Sequence, residues 1–142
     1  MTDLEKLRQW LRAYPGWEEN AALHTDHIDG LPGSYGLYPV GLEVLSRTED
    51  LLGNVTARCR YTYNLLRCTA GQQDSPQEAQ WLMEFQEWVL SQSAHGLAPQ
   101  FGDVPAEETL RAEKGKRKEA SQGSIGTYTV TIVAEFTKIY EE

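Results

Sequence analysis

The chain has 142 residues, of which 40% are hydrophobic, and its 21 acidic and 13 basic residues give a formal net charge of −8. This length suits one domain over residues 1–142, and the apolar content argues against disorder over most of it. The absence of any apolar run near the ~20 residues of a membrane-spanning helix excludes the membrane, and the negative charge argues against direct binding to nucleic acid.

A helix is predicted from Thr2 or Asp3 to Ala13, before Pro15-Gly16 ends it. Its apolar residues recur at helical spacing: Leu4, Leu7, Leu11 and Tyr14, with Trp10 beside them. The same segment is charged and lacks the apolar core of a signal peptide, so we expect the protein to stay in the cytoplasm in which it is made, or in an assembly built there.

Short strands are predicted next. The first is 24–28, and a turn rich in glycine and proline follows at Gly30–Gly36. Two more strand-like pieces cover Tyr35–Val40 and Leu42–Ser46, and a second turn lies at Asp50–Asn54.

A long strand begins at Val55, where apolar and polar residues alternate as far as Leu65. This period of two is typical of an antiparallel sheet with one covered face. Leu65-Leu66 breaks the alternation, which predicts a bulge or a change of environment there.

The second helix is the best marked. Ser75 can cap it, Pro76 suits its first turn, and Glu78 completes a capping box. His95-Gly96 is predicted to end it, the histidine interacting with terminal carbonyls. The expected core stripe is Ala79, Leu82, Phe85 and Val89, widened by Trp81 and Trp88. Trp81 lies at the margin of this stripe, so a role facing a partner is also open.

The C-terminal part combines a basic segment with a long strand. A weaker strand is predicted at Val104–Glu113, then a flexible basic loop at about residues 112–124, then an alternating strand at Ile125–Tyr140. Five of the 13 basic residues fall between Arg111 and Lys118. The loop has three interpretations: a solvated hairpin connection, a segment that orders against an acidic partner or a neighbouring subunit, or a contact with a few phosphates.

The order of elements predicts an α+β fold. Strands precede one helix and follow it, without the repeated strand–helix alternation of a doubly wound parallel sheet. We expect a mixed, mostly antiparallel β-sheet with two main helices packed on one face. No internal repeat divides the chain.

The candidates for chemistry are few. The run at 24–29, HTDHID, contains residue types that bind metals, but on a strand His24 and His27 point to opposite faces, which favours an ordinary edge strand. Cys59 and Cys68 lie ~30 Å apart on one predicted strand, so buried free thiols are expected rather than an internal disulfide. We expect no catalytic, metal or cofactor-binding residues, because none of the common nucleophile, zinc or phosphate-binding motifs occurs.

Several segments, taken in order, resemble the tail terminator (minor capsid-like) proteins of long-tailed bacteriophages and of prophages in Gram-positive bacteria. They are DLEKLRQWLRAYPGW, HTDHIDGLPGSYGLYPV, NVTARCRYTYNLL, FQEWVLSQSAHGLAP and TYTVTIVAEFTKIY. The run W-V-x-x-Q-x-x-x-G-L-x-P at Trp88–Pro99 and the terminal strand contribute most to this resemblance, which spans nearly the whole chain.

The resemblance implies a structural phage protein, not an enzyme. Such a subunit forms a homo-oligomeric ring, a hexamer in the assembled tail, which caps the head-proximal end of the tail tube. There it stops tube growth and contacts the tail tube protein and the head–tail connector protein. It implies a place in the host cytoplasm during assembly and afterwards in the virion tail. It also suggests a use for the basic loop: Lys114, Lys116, Arg117 and Lys118 would contact a neighbouring subunit or the tube.

Two other classes of function stay open from the residues. One is a small-molecule or peptide-binding α+β module without catalysis, with a pocket lined by Tyr61, Tyr63 and Trp88. The other is a small enzyme that uses His24 or His27 as a base.

Overall fold

The computed structural model describes residues 2–17, 22–25, 34–70, 76–119 and 125–141. Its helices are α1 (Asp3–Arg12) and α2 (Pro76–Ala94), with a short 3₁₀ turn at Pro105–Glu107. Its strands are β1 (Ala22–Thr25), β2 (Ser34–Glu49), β3 (Val55–Ala70), β4 (Thr109–Glu119) and β5 (Ile125–Tyr140). None of the described helices has both the length and the apolar character needed to cross a membrane.

The strands form one five-stranded sheet in the order β1-β2-β3-β5-β4. β1 runs parallel to β2, and every other neighbouring pair is antiparallel. The two helices pack with the sheet in a single hydrophobic core. The prediction of an α+β fold with a mixed, mostly antiparallel sheet and two main helices is therefore confirmed.

α1 begins and ends where the sequence predicts. The Thr2 hydroxyl accepts a hydrogen bond from the Glu5 amide (3.2 Å), and the Glu5 carboxylate accepts one from the Thr2 amide (3.1 Å). This reciprocal capping box satisfies two amides that the first turn leaves without partners. Leu7 and Leu11, one turn apart, are fully buried against the sheet and α2.

β2 is one long strand, not the two short pieces that the sequence predicted; it includes residues 34–36 at the end of the predicted turn, whereas 30–33 lie outside the described residues. It starts at Ser34 and pairs with β3 as far as Glu49. The pairing shifts by one residue between Pro39 and Gly41 and again between Val44 and Ser46. Each shift accommodates an extra residue as a bulge, so the strand continues although its alternation is interrupted.

β3 confirms the predicted alternation. Ala57, Cys59, Tyr63 and Leu65 are buried on the face that the helices cover. No register shift occurs at Leu65-Leu66, so the bulge considered there is absent, and Leu66 instead lies half-buried on the opposite face.

β5 has the predicted bounds and supplies the centre of the core. Val130, Ile132, Ala134 and Phe136 are buried under the helices, as the apolar column predicted. The opposite face also buries Val133 and Thr137, so β5 is covered in part on both sides.

The helical layer is held together by aromatic rings. Trp10 of α1 stacks on Trp88 of α2 with ring centroids 4.6 Å apart. Tyr14 meets Phe85 edge-on at 5.1 Å, and Phe85 stacks on Trp81 at 5.2 Å. Offset and edge-on contacts of this kind add specificity to apolar burial.

The core stripe of α2 differs from the prediction at one position, Ala79. Trp81, Phe85 and Val89 are buried, four residues apart along one face of the helix. Ala79 is exposed, and Trp81 lies in the core rather than at a surface that faces a partner. The predicted cap at Ser75 lies outside the described residues.

α2 ends as predicted. Gly96 has φ +71°, and its amide bonds to the Ser93 carbonyl (3.2 Å) while the Leu97 amide bonds to the Gln92 carbonyl (2.9 Å). These two bonds form the left-handed termination that favours glycine. The His95 ring nitrogen lies 2.7 Å from the Ser91 carbonyl oxygen, the predicted contact with a terminal carbonyl.

The region predicted as a flexible basic loop is a strand over much of its length. β4 extends to Glu119 and pairs with β5 as far as the Glu119–Gly126 pair, whereas 104–108 is the 3₁₀ turn and loop before it. Pairing with β5 outweighs the low strand propensity of lysine and glycine, because β5 continues alongside as a regular partner. The predicted connection at 120–124 lies outside the described residues.

Candidate interaction surfaces

A hairpin formed by β2 and β3 is built around a tightly bonded turn. The Asp50 carboxylate accepts hydrogen bonds from the Leu52 amide (2.8 Å) and the Asn54 amide (2.9 Å), and also from the Asn54 side chain (3.1 Å). The bond from the Asn54 amide, followed by the other donors, lowers the pKa of Asp50. Gly53 has φ +89°, which closes the turn. The local sequence therefore specifies this turn without help from the core.

The hairpin exposes many large apolar side chains. On β2, Val40, Leu42 and Val44 are each more than half exposed, and Leu51 and Leu52 lie open in the turn. Several exposed large apolar side chains on one element favour an interaction site. We call residues 40–52 the hairpin surface.

The hairpin surface also has an unpaired strand edge. β1 pairs with β2 only between Ser34 and Leu37. From Pro39 to Glu49, the outer side of β2 has no partner strand among the residues that the structure describes. Proline is tolerated on such an edge because it has no amide to donate to a ladder.

The opposite end of the sheet carries a groove between α2 and β4. α2 packs against β4, and an open groove of about 660 Å³ lies between them. Met83 and Leu90 contribute apolar side chains, both more than half exposed, and Ala112 forms part of the floor. Gln86, Glu87, Arg111 and Glu113 supply the polar part of the lining. We call this feature the α2–β4 groove.

The face of the sheet away from the helices carries a row of alternating charges. Glu43 of β2 lies 3.6 Å from Arg60 of β3, and Arg60 lies 3.8 Å from Glu135 of β5. The Arg111 guanidinium of β4 donates to Glu135 and, at 2.6 Å, to Glu113. We call Glu43, Arg60, Glu135 and Arg111 the charge row.

Contacts within the charge row shift the pKa values of Glu135 and Arg111. The hydrogen bond from Arg111 is the main cause of the lowered pKa of Glu135, and the bonds to Glu135 and Glu113 raise the pKa of Arg111. Both shifts favour the charged forms, so Glu135 and Arg111 are ionised at neutral pH.

Two smaller cavities offer little for ligand binding. One of about 110 Å³ lies beside the Glu108 carboxylate, which already accepts bonds from the Phe101 and Gly102 amides. Another lies beside Arg58, which donates to the Glu107 carbonyl (2.6 Å) and the Thr137 hydroxyl (3.1 Å). These polar groups are engaged within the fold.

The predicted basic contact residues lie on β4. Lys116, Arg117 and Lys118 pair through their backbones with residues 127–129 of β5, and Lys114 sits at a register shift between Glu113 and Gly115. The side chains of residues 114–119 are outside the described part of the chain. The structure therefore places these four residues on the outer strand of the sheet, beyond the α2–β4 groove.

The other predicted residues fall in different places. His24 pairs through its backbone with Gly36, its side chain is outside the described part, and His27 lies outside it altogether. Cys59 is a buried free thiol, while the side chain of Cys68 is not described. Over the described ranges, no three His, Cys, Asp or Glu side chains are grouped as they would be around a metal ion.

Of the residues proposed for a pocket, Tyr63 is a core residue, while Tyr61 and Trp88 are partly buried and pack against the core. Tyr63 is buried and stacks with Tyr61 at 4.6 Å, and burial, the main cause, raises the pKa of Tyr63. Trp88 belongs to the aromatic layer between the helices. The sequence analysis did not predict the hairpin surface or the charge row. The hairpin surface was missed because Leu42 and Val44 show the same alternation as a strand that is covered on one face.

Comparison with models of protein families and with curated proteins finds no match to this chain.

Proposed function

We propose that this chain is the tail terminator of a long-tailed bacteriophage or prophage. In this role, copies of the chain form a ring, a hexamer in the assembled tail, on the head-proximal end of the tail tube. The ring stops tube growth and joins the tail to the head–tail connector protein. The protein acts in the host cytoplasm during assembly and then in the virion tail, and it performs no catalysis.

The hairpin surface is the observation that carries this proposal. The turn at its tip is fixed by five hydrogen bonds within Asp50–Asn54, so the hairpin is a folded element. Its apolar side chains nevertheless contribute little to the core, since Val40, Leu42 and Val44 are 55–58% exposed. A well-formed element that exposes apolar side chains and a strand edge is suited to contacts between subunits. The resemblance along nearly the whole chain supports the same role.

The basic residues on β4 give the proposal a second contact. Lys114, Lys116, Arg117 and Lys118 would add a positively charged outer strand to a protein of net charge −8. Opposite charges on the tail tube or on a neighbouring subunit would favour docking and increase its rate. We assign these four residues to a contact with the tube or the ring.

A second candidate function comes from the α2–β4 groove. A cleft of about 660 Å³ with apolar and charged walls falls within the size range of ligand sites, so a peptide-binding module without catalysis is the alternative. A peptide binder would be a monomer that recognises a short segment, whereas a terminator acts on tube length. The two functions therefore differ in a direct assay on tails.

Deletion of the gene from the phage or prophage genome that the proposal assigns it to tests the proposed function. Without a terminator, we expect tubes that grow past their normal length and do not join heads, and expression of the wild-type chain from a plasmid should restore normal tails. Electron microscopy of the lysates measures both properties. Normal tail lengths and intact head joining in the deletion strain would contradict the proposal.

The basic contact is tested by substitution, because deletion of residues 114–122 would shorten β4. Glutamine at the four positions preserves the strand and removes four charges. We expect weaker co-sedimentation with purified tail tubes and a smaller dependence on salt. Lys138→Gln on β5 is the control for loss of a single positive charge elsewhere. Unchanged binding by the fourfold variant would remove these residues from the contact.

A further inference from the structure

Among the described residues, the sheet has two edges without a partner strand, one at each end of the strand order. β2 lies next to the short β1 and is open from Pro39 onward, and β4 is the last strand at the other end. We propose that the β2 edge of one copy adds to the β4 edge of the next, with the hairpin surface inserted in the α2–β4 groove. This contact joins two different surfaces and so leads from copy to copy, as a ring requires. The inference rests on the proposed function and names the subunit contact.

Strand direction is compatible with this addition. β2 is antiparallel to β3, β3 to β5, and β5 to β4. β2 and β4 of one copy therefore run in opposite directions. When a second copy is related by rotation about an axis along the strands, its β2 runs antiparallel to β4 of the first and extends the same pattern.

The apolar side chains lie on the correct face for this contact. Leu42 and Val44 pair with Tyr61 and Cys59, which places them on the helix-covered side of the sheet. The α2–β4 groove opens on that same side. Beside β4 of another copy, these two side chains would lie next to Met83 and Leu90, which are 58% and 65% exposed. Both sets of apolar side chains would then be removed from water.

The charge row has complementary ends. Along β2, β3, β5 and β4, the row reads carboxylate, guanidinium, carboxylate, guanidinium. Addition of a second copy places its Glu43 next to Arg111, so the signs continue to alternate across the junction. A junction between two β2 edges would bring two Glu43 carboxylates together instead. The row therefore favours the head-to-tail arrangement over a symmetric dimer.

The pairing segments are regular where the contact needs them. Gly41–Val44 lies between the two register shifts of β2, and Thr109–Glu113 precedes the shift in β4. Glu43 and Arg111 lie within these two segments. Regular backbone on both edges can form an antiparallel ladder without a further bulge.

Two substitutions, one on each surface, test the contact. Leu42→Asp places a charge on the hairpin surface, and Leu90→Asp places one in the α2–β4 groove. Both residues are more than half exposed, so both variants should keep the circular dichroism spectrum of the wild type. Light scattering and native mass spectrometry from about 5 to about 500 µM should show self-association of the wild type and a dissociation constant at least about 30-fold higher for each variant. Leu97→Asp, at a leucine that is 63% exposed and lies outside both surfaces, is the matched control and should associate normally.

Mixing the two variants gives the decisive result. Each variant retains one intact surface, so a 1:1 mixture should form a heterodimer with a single contact and no larger species. A monomeric wild type at every concentration, or variants that associate as well as the wild type, would overturn the inference. A mixture that stays monomeric would overturn it as well.

Failure of this inference and failure of the proposed function give different results. If the gene controls tube length but the two variants still assemble normally, the ring uses other surfaces and the function stands. If the mixture forms the heterodimer but deletion of the gene leaves tube length unchanged, the contact stands and the proposed function is wrong.

Discussion

Replacement of Trp81 tests whether this side chain belongs to the core or to a surface that binds a partner. Its ring stacks on Phe85 with 5.2 Å between centroids and lies 4.4 Å from the Arg67 guanidinium carbon. Its indole N–H donates a 3.2 Å hydrogen bond to the Gly16 carbonyl. The side chain is 8% exposed, so the structure assigns it to packing.

The expected loss of stability follows from these contacts. Trp81→Ala removes a buried ring, and this loss lowers the free energy of unfolding by about 3–5 kcal/mol. It also removes the cation–π contact with the Arg67 guanidinium, which contributes about 1 kcal/mol. Part of this sum is recovered by relaxation, so we expect about 4 kcal/mol in total. Trp81→Phe keeps the stack and loses the indole bond, which costs about 1–2 kcal/mol.

Urea unfolding followed by circular dichroism measures both losses. With a slope of about 2 kcal/mol per molar urea, the midpoint should fall by about 2 M for alanine and by less than about 1 M for phenylalanine. Met83→Ala, two residues along the same helix and 58% exposed, is the control and should change stability by less than about 0.5 kcal/mol. If Trp81→Ala were as stable as this control, the assignment of Trp81 to the core would be refuted.

Two further predictions concern the sheet. Glu135→Gln should cost about 1 kcal/mol at pH 7, because it removes the ion pair with Arg111. Since the pKa of Glu135 is lowered from 4.5, the stabilisation is present above that value and is lost as the pH falls through the folded pKa. The urea midpoints of wild type and variant should therefore converge as the pH falls below 4.5, and a constant difference would contradict this. Gly102→Ala should cost about 1–3 kcal/mol, because a Cβ there would lie 2.5 Å from the Thr137 carbonyl oxygen. Gly41→Ala, with no atom within 4 Å of the added carbon, is its control, and equal melting temperatures for the two variants would show that the close approach is unimportant.

Part of the candidate site could be anticipated from the sequence. The basic residues at 114–118 could be recognised from their charge alone. Their position on a paired strand could not be predicted, because lysine and glycine are poor strand formers and β4 extends this far only through its pairing with β5. The charge row joins residues from four strands that are far apart in the chain. Pairing across such distances is not visible in one sequence, since strand order and register are tertiary properties.

Features that depend on residues a few positions apart could be predicted from the amino-acid sequence. Thr2 and Glu5 begin α1, Gly96 ends α2, and the strict alternation of β5 selects its buried face, because caps and periodicity act within one turn or one pleat. Tertiary structure decided which apolar faces are covered. Leu42 and Leu65 occupy the same face of the sheet, yet one is 58% exposed and the other is fully buried. Alternation assigns a side chain to a face, but only the extent of the helical layer determines whether that face is hidden from water.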